Sequence, residues 1–495
     1  MLLVGRQGRP ARPSAAPEPA YGPVPVGDAG RIDGALRPAS PVPFWLDSPA
    51  RPAPQPALAG AATADLVVVG GGYCGLWTAL LAKEREPERD VVLLEAREIA
   101  WAASGRNGGF CESTLTHGAE NGDRHFPDER RQLDRLGLEN FAEFRETLVR
   151  HGIDAEFETP GGLTVATEPH QEAGLRELAG TAPAGHYTFL DADRVRSVVD
   201  SPLYRAGLLE TEGVALVHPA KLAWGLRRAC LELGVRIHEH SPVVGLDREG
   251  DSVRDAVTVR TPGGRVRARR VALATNGFPS LLRRTRLLTV PVYDYALMTE
   301  PLTADQLASI GWTGRQGVTD SSRQFHYYRL SADNRILWGG YDAVYHRGGR
   351  IRPAHDRREQ TFRLLADHFF RTFPPLADVR FSHAWGGMID MSSRLMAFHG
   401  AARNGRVAYS AGYTGLGVAA TRFGAKVMLD LLGGKPTELT ELRAVGSMPI
   451  PIPPEPLRYP AITLTRRAVA RSDARGGKDG LLLRSLDSLG VGFDS

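Results

Sequence analysis

Residues 65–75 read Asp-Leu-Val-Val-Val-Gly-Gly-Gly-Tyr-Cys-Gly, and Val91-Val-Leu-Leu-Glu95 follows about twenty residues later. This pairing constrains the fold more than any other feature of the chain. A β-branched apolar run gives way to Gly70-x-Gly72-x-x-Gly75, and a helical pattern begins at once. The three glycines have separate tasks: a tight turn, close approach of backbone to a diphosphate, and close helix–strand packing. The diphosphate would rest on the helix N-terminus, where free N–H groups and the helix dipole favour negative charge. Tyr73 and Cys74 lie inside that turn. Glu95, with Ala96 after it, ends the next strand where an acid can take ribose hydroxyls, and its charge argues against a 2′-phosphate. A glycine-rich turn in an unrelated α/β domain would leave Glu95 unexplained. The expectation is an adenine dinucleotide.

At 495 residues the chain is long enough for two or three domains. The net charge of +5 comes from arginines scattered among acids, and the densest basic stretch, 347–358, is broken by Gly, Pro and Asp. That pattern gives no nucleic-acid face. Cys74, Cys111 and Cys230 have neither metal-ligand spacing nor a disulfide framework, which suits a reducing, cytoplasmic setting and no metal. The one long apolar run, 66–82, contains the glycine turn and is short for a membrane span, so the protein is expected to be soluble. Residues 1–60 are rich in Pro, Ala, Gly and Arg without apolar periodicity, and are expected to be a disordered, dispensable leader. A transit peptide is the alternative reading of that leader. Phe44-Trp45-Leu46 is its one triplet suited to packing on the body.

Along the chain, apolar spacing predicts a long helix over 128–151, a strand over 161–167 and a helix over 219–233 capped by Gly234. Strands follow at 235–238, 243–246, 257–260 and 270–275. From 291 to 340 the pattern changes to short aromatic-rich strands around Tyr293-Asp-Tyr295, Tyr328-Arg329 and Trp338, which suggests a second, antiparallel sheet. A helix over 357–372, a strand over 380–385, a last strand over 407–411 and a final helix over 415–432 complete the pattern. The fold class is therefore α/β: a Rossmann-like dinucleotide domain assembled from discontinuous segments (about 61–125, 213–280 and 385–435). An antiparallel-sheet substrate or cap domain is built from about 126–212 and 281–384, and 436–495 is a C-terminal extension.

Four segments in order resemble the D-amino-acid-oxidase-like family of FAD-dependent amine oxidoreductases, and most of all its γ-glutamylputrescine oxidase branch. They are the Gly70–Glu95 fingerprint, Ala103-Ser-Gly-Arg-Asn-Gly-Gly109, Ala274-Thr-Asn-Gly277 and Ala411-Gly-Tyr-Thr-Gly-Leu-Gly-Val418. The resemblance implies one FAD, bound without a covalent link because no cysteine lies near His383 and Ala384, where sarcosine oxidases carry theirs. In Ser104, Gly105, Arg106, Asn107, Gly108 and Gly109, the glycines let backbone approach a flat ring. Ser104 can bond a phosphate oxygen, and Arg106 supplies a cation near the flavin or diphosphate. Val243 would give backbone contacts to adenine, and Thr275, Asn276 and Gly277 would turn beneath the cofactor. Gly412, Tyr413, Thr414, Gly415, Gly417 and Val418 would lead into a helix whose N-terminus faces the flavin N1/C2 carbonyl edge, where it stabilises the charge of the reduced ring.

The same resemblance implies oxidation of a primary or secondary amine or amino acid to the imine by hydride transfer to flavin N5, with O2 as electron acceptor. No general base is required, so the protein supplies positioning and charge, and His218 and His383 are expected to be structural. Arg106, Tyr328 and Arg329 are the candidate catalytic-site residues. On the aromatic strands only one face can reach the cavity. Arg329 either pairs with a substrate carboxylate or makes a structural ion pair. A quinone or protein acceptor, making the enzyme a dehydrogenase, is an open alternative. A flavin monooxygenase is disfavoured by the absence of a late Gly-Asp motif.

Overall fold

The computed structural model describes residues 19–181, 185–248, 256–488 and 490. Its strands sort into two large sheets and one small one. At the centre of the first, Gly60–Val69 pairs in parallel with Val91–Leu94 on one side and Gly264–Leu273 on the other. Arg236–His238 and Val407–Ala411 extend it in parallel, and Phe398–Ala402 closes one edge antiparallel. Leu66, Val67 and Val68 are fully buried because helices cover the face of Leu66 and Val68 while Val257, Val259, Leu282 and Leu288 cover that of Val67, which is why this strand reads as an unbroken apolar run. The helix Tyr73–Arg85 packs against Pro219–Glu232 and Ala420–Gly433, three segments far apart in sequence.

The second sheet runs in the order Phe381–Ser392, Thr289–Thr299, Ile336–Gly340, His326–Leu330, Gly317–Asp320, Gly162–Ala166, Ala206–Glu210, Tyr187–Leu190. It is antiparallel except where Gly317–Asp320 lies parallel to Gly162–Ala166. Side chains alternate between its faces. Tyr293, Tyr295, Leu297, Tyr328, Leu330, Trp338, Val318 and Val165 all enter one apolar core, built against the helices Glu359–Thr372 and Ala29–Leu36. The opposite face carries Asp294, Tyr327, Arg329, Thr319, Thr164 and Glu210, and turns toward the nucleotide sheet.

Several sequence expectations are corrected in detail. Residues 19–60 are packed, not disordered. Ile32 and Ala35 are buried in the second sheet's core, Gly27 N–H donates to Asp367 at 2.7 Å, and Trp45 and Leu46 enter the nucleotide core. The prolines and glycines hide a short helix with its own Asp28 cap, whose two buried residues, Ile32 and Ala35, lie three apart and so face one way. Residues 1–18 lie outside the described residues. The long helix is Arg130–Arg150, and the strand expected at 380–385 runs on to Ser392. The strand expected over 243–246 is Gly245–Arg248. The final helix begins at Ala420, because Thr414 and Gly415 at φ 50° and 92° keep the chain out of helical geometry after the last strand. Among the described residues, no helix is long and apolar enough to cross a membrane.

Candidate functional site

Four turns leave the carboxyl ends of strands in the nucleotide sheet or follow closely after them, the edge where open α/β sheets bind ligands. In the first, Gly70 sits at φ 111° with its α-carbon against the Ala274 carbonyl, and a Cβ on Gly75 would run into the Gly70 carbonyl. Gly72, the N-cap of Tyr73–Arg85, differs: a Cβ there would touch only Ser104. Backbone can therefore approach a ligand at that point. Tyr73 N–H donates to Ser104 Oγ at 2.9 Å, so the second turn is brought over the helix N-terminus.

Glu95 is buried, and burial pushes its carboxyl above the usual range. Its oxygens accept from Gly71 N–H at 2.5 Å, Arg97 N–H at 2.9 Å and Trp101 Nε1 at 3.0 Å. A carboxylate offers about four lone-pair sites, so it can still receive a hydroxyl. Ser241 N–H donates to the Glu95 carbonyl at 2.7 Å, which sets Val243 close to this end of the site. Ala96 is exposed beside it.

The turn Ala103–Gly105 continues into a loop closed by Asn107, whose Nδ2 donates to the Ala103 carbonyl and whose Oδ1 accepts from Gly109 N–H at 2.8 Å. Arg106 is not a free cation. Its guanidinium donates to Trp101 and Gly386 carbonyls and to Asp356 Oδ2 at 2.7 Å, and Trp385 Nε1 donates to its own carbonyl. It fastens this loop to the second sheet. Gly108 lies against the Tyr327 ring, leaving no room there for a Cβ.

In the third turn Asn276 adopts φ 49°, and its Oδ1 is buried without a partner among the described residues. Gly277 lies against Met388 and Asp390. Asp390 in turn accepts from Gly412 N–H and binds the fourth turn. Burial pushes Asp390 up to about 7, against the pull of those backbone N–H groups. His117 Nε2 contacts the Thr414 carbonyl at 2.9 Å, and Gly415 faces open space except for Ile389 at 4.0 Å. A partnerless buried acceptor, open glycine faces and a hydroxyl over a helix N-terminus together fit an extended dinucleotide. Gly70, Gly72, Ser104, Glu95, Asn276 and Gly415 would hold it.

Other expected residues face elsewhere. Tyr413 is a strut, its hydroxyl bonding Ser410 Oγ and lying 3.2 Å from Cys74 Sγ. Burial pushes the Cys74 thiol up to about 12, so it is inert. Val418 is core. Tyr328, a candidate for the cavity, is buried on the opposite face with its hydroxyl on Tyr204, as are Tyr293, Tyr295 and Trp338. The period-two strand pattern gave two possible faces, and packing against Glu359–Thr372 selected the aromatic one for the core. Arg329 does point toward the loop, but it is 1% exposed and spends its donors on the Val217 carbonyl at 2.7 Å and the Gly109 and Leu330 carbonyls. Among the described residues it has no carboxylate partner, and it lies 5.7 Å from the Trp45 ring centroid. Sequence reasoning passed over Tyr327, which donates to Asp294 at 2.6 Å, and also Asp390, Trp101 and Glu112. The alternation that placed Arg329 on a cavity face should have placed Tyr327 with it.

Residues 65–431 match the family model described as FAD dependent oxidoreductase. The chain is 31% identical over 419 residues to gamma-glutamylputrescine oxidoreductase of Escherichia coli (strain K12), covering 82% of this chain and 92% of that protein. It is 25% identical over 357 residues to sarcosine oxidase subunit beta of Rhizobium meliloti (strain 1021), covering 70% and 78%. In fold it is similar to glycine oxidase from Geobacillus kaustophilus, with a TM-score of 0.61 at 18% identity over 76% of this chain and 96% of that one.

Proposed function

The chain belongs to the family of FAD-dependent oxidoreductases, and from that premise we propose that it oxidises a primary or secondary amine, or an amino acid, to the imine, with O2 as electron acceptor and H2O2 as product. The observation that carries this reading is the meeting of four turns from distant segments at one edge of the nucleotide sheet, backed by the polar face of the second sheet. FAD, when bound, supplies the two-electron acceptor. The chain's residues do the remainder. Ser104, the helix N-terminus and Glu95 bind and orient the dinucleotide; Arg106 and Asp356 hold the loop against the sheet; and Tyr327 and Asp294 present a hydroxyl and a carboxylate on the facing side. Burial pushes Asp294 up to about 6, so near neutral pH it carries charge and can accept an amine N–H.

Amines are favoured over α-amino acids because Arg329, the cation expected to receive a carboxylate, is already occupied by backbone carbonyls. A dehydrogenase passing electrons to a quinone or protein would use the same site, and peroxide release under air separates the two. The test is an anaerobic screen of amines and amino acids against the purified flavoprotein, following loss of flavin absorbance. Bleaching by amines supports the reading. A flavin that no amine or amino acid reduces overturns it. We place the protein in a reducing compartment, since Cys74, Cys111 and Cys230 are free thiols.

A further inference from the structure

The small sheet formed by Phe110–Glu112 and Val214–Leu216 crosses in front of the polar face of the second sheet. Phe110 and Glu112, two residues apart on one strand, share a face. Phe110 meets the Tyr327 ring at 5.9 Å and lies over Gly317; Val214, opposite Glu112, lies over Gly162. Glu112 is therefore directed between the small sheet and the Gly162–Ala166 and Ala206–Glu210 strands. It is partly buried and keeps some accessible surface, yet its carboxylate makes no hydrogen bond or ion pair with any described residue. An unpaired carboxylate in such a place costs free energy unless a cation reaches it.

The floor beneath it is polar from end to end. Tyr327, Thr319, Thr164 and Glu210 occupy successive strands on the same face, Asp294 lies one strand beyond Tyr327 across Gly339, and each of these polar residues keeps some accessible surface, as residues lining a cavity do. The hydroxyls of Thr164 and Thr319 lie 3.4 Å apart in the middle. Glu210, whose described partner is His186 at 3.1 Å, also feels the charge of Glu112. From the Tyr327 strand to the Glu210 strand is three strand spacings, roughly 14 Å at about 4.8 Å each. One end adjoins Gly108 of the dinucleotide loop and the other ends at two carboxylates.

We propose that this face is a substrate groove for a linear polyamine, whose reacting amine lies at the Tyr327–Asp294 end and whose far ammonium is held by Glu112 and Glu210; 1,4-diaminobutane is too short to reach both ends. The inference rests on the amine-oxidising reading above and names the substrate class for that site. Glu112 and Glu210 are specificity residues, and the two hydroxyls between them accept or donate along the chain of the substrate.

The test uses the FAD-loaded protein, with Glu112→Gln and Glu210→Gln beside wild type. Each substitution keeps the shape and removes the charge, and flavin content and melting temperature serve as the check on folding. Anaerobic rapid mixing with spermidine, 1,4-diaminobutane and n-butylamine gives an apparent Kd and a limiting reduction rate separately. The expected result is that Glu112→Gln weakens spermidine by about tenfold or more, the scale of a lost charged hydrogen bond, with limiting rates unchanged within about twofold and n-butylamine and 1,4-diaminobutane unaffected. Glu210→Gln should act in the same direction. Equal weakening of n-butylamine or 1,4-diaminobutane, or unchanged Kd for spermidine in both variants, overturns the groove. Calorimetric titration of the same amines separates this from the reading beneath it. Glu112-dependent polyamine binding without flavin reduction would sink the oxidase reading and leave the groove. Reduction indifferent to both glutamates would do the reverse.

Discussion

Trp45 ties a leader that composition marks as dispensable to the loop that carries the dinucleotide site. It is 1% exposed, its Nε1 donates to the Asn107 carbonyl at 2.9 Å, and its ring meets that of His218 at 4.8 Å. The Arg329 guanidinium lies 5.7 Å from its centroid. Replacing a buried aromatic by alanine costs about 3–5 kcal/mol, from lost transfer energy and the cavity left behind. Trp45→Phe keeps most of the apolar area and the ring face toward Arg329. It forfeits the N–H···O bond, worth about 0.5–1.5 kcal/mol, and some packing, so its cost should be about 1–2 kcal/mol. Urea unfolding followed by far-UV circular dichroism gives both numbers, and FAD titration of the apoprotein should show weaker binding in Trp45→Ala as the 103–109 loop loses its anchor. A Trp45→Ala midpoint within about 0.5 kcal/mol of wild type, the range of an ordinary surface change, would refute the packing of this leader. Equal costs for Phe and Ala would assign the effect to the hydrogen bond alone.

Deleting residues 1–40 should lower the melting temperature, because it uncovers the Ile32 and Ala35 side of the second core and strips Asp367 of the Gly27 N–H; an unchanged melting curve would show the helix is unbound. Gly72→Val should abolish FAD retention on purification, since its β-carbon must share space with Ser104 Oγ and with a diphosphate; stoichiometric flavin in the variant would misplace the site. Glu95→Ala should weaken FAD binding by about 1–3 kcal/mol, the range for a lost charged hydrogen bond, with unchanged affinity by titration removing Glu95 from the ribose. Burial drives His399 down to about 3 from an unfolded value near 6.5, so the folded state resists its protonation. That contribution is complete above about pH 6.5 and is lost by up to about 1.4 kcal/mol per pH unit as pH falls toward 3. His399→Gln should therefore have a flatter acid limb in denaturant titrations between pH 6.5 and 4, and a limb parallel to wild type would show the imidazole is not buried neutral.

Local rules carried the nucleotide half of this protein. A strand, a three-glycine turn and an acid on the following strand interact over a few dozen residues, so Gly70, Gly72, Gly75 and Glu95 were legible from order and spacing. Gly415 and Gly417 were legible as a turn because glycine-rich breaks after a strand have few other uses. What the chain alone left open was direction. Alternation on the aromatic strands defines two faces but not which one meets the core, and the helix Glu359–Thr372, some thirty residues downstream, decided it by covering Tyr293, Tyr295, Tyr328 and Trp338. The face that remained, with Tyr327, Asp294 and Thr319, became the one opposite the dinucleotide loop. The roles of Arg106 and Arg329 were likewise fixed only by partners 250 and 112 residues away, Asp356 and Val217. A guanidinium reads the same in sequence whether it meets a ligand or a carbonyl. The leader was misjudged for a related reason: a few apolar residues in a proline-rich stretch form no core of their own, and Ile32, Ala35, Trp45 and Leu46 stay in place because distant segments of the chain bury them.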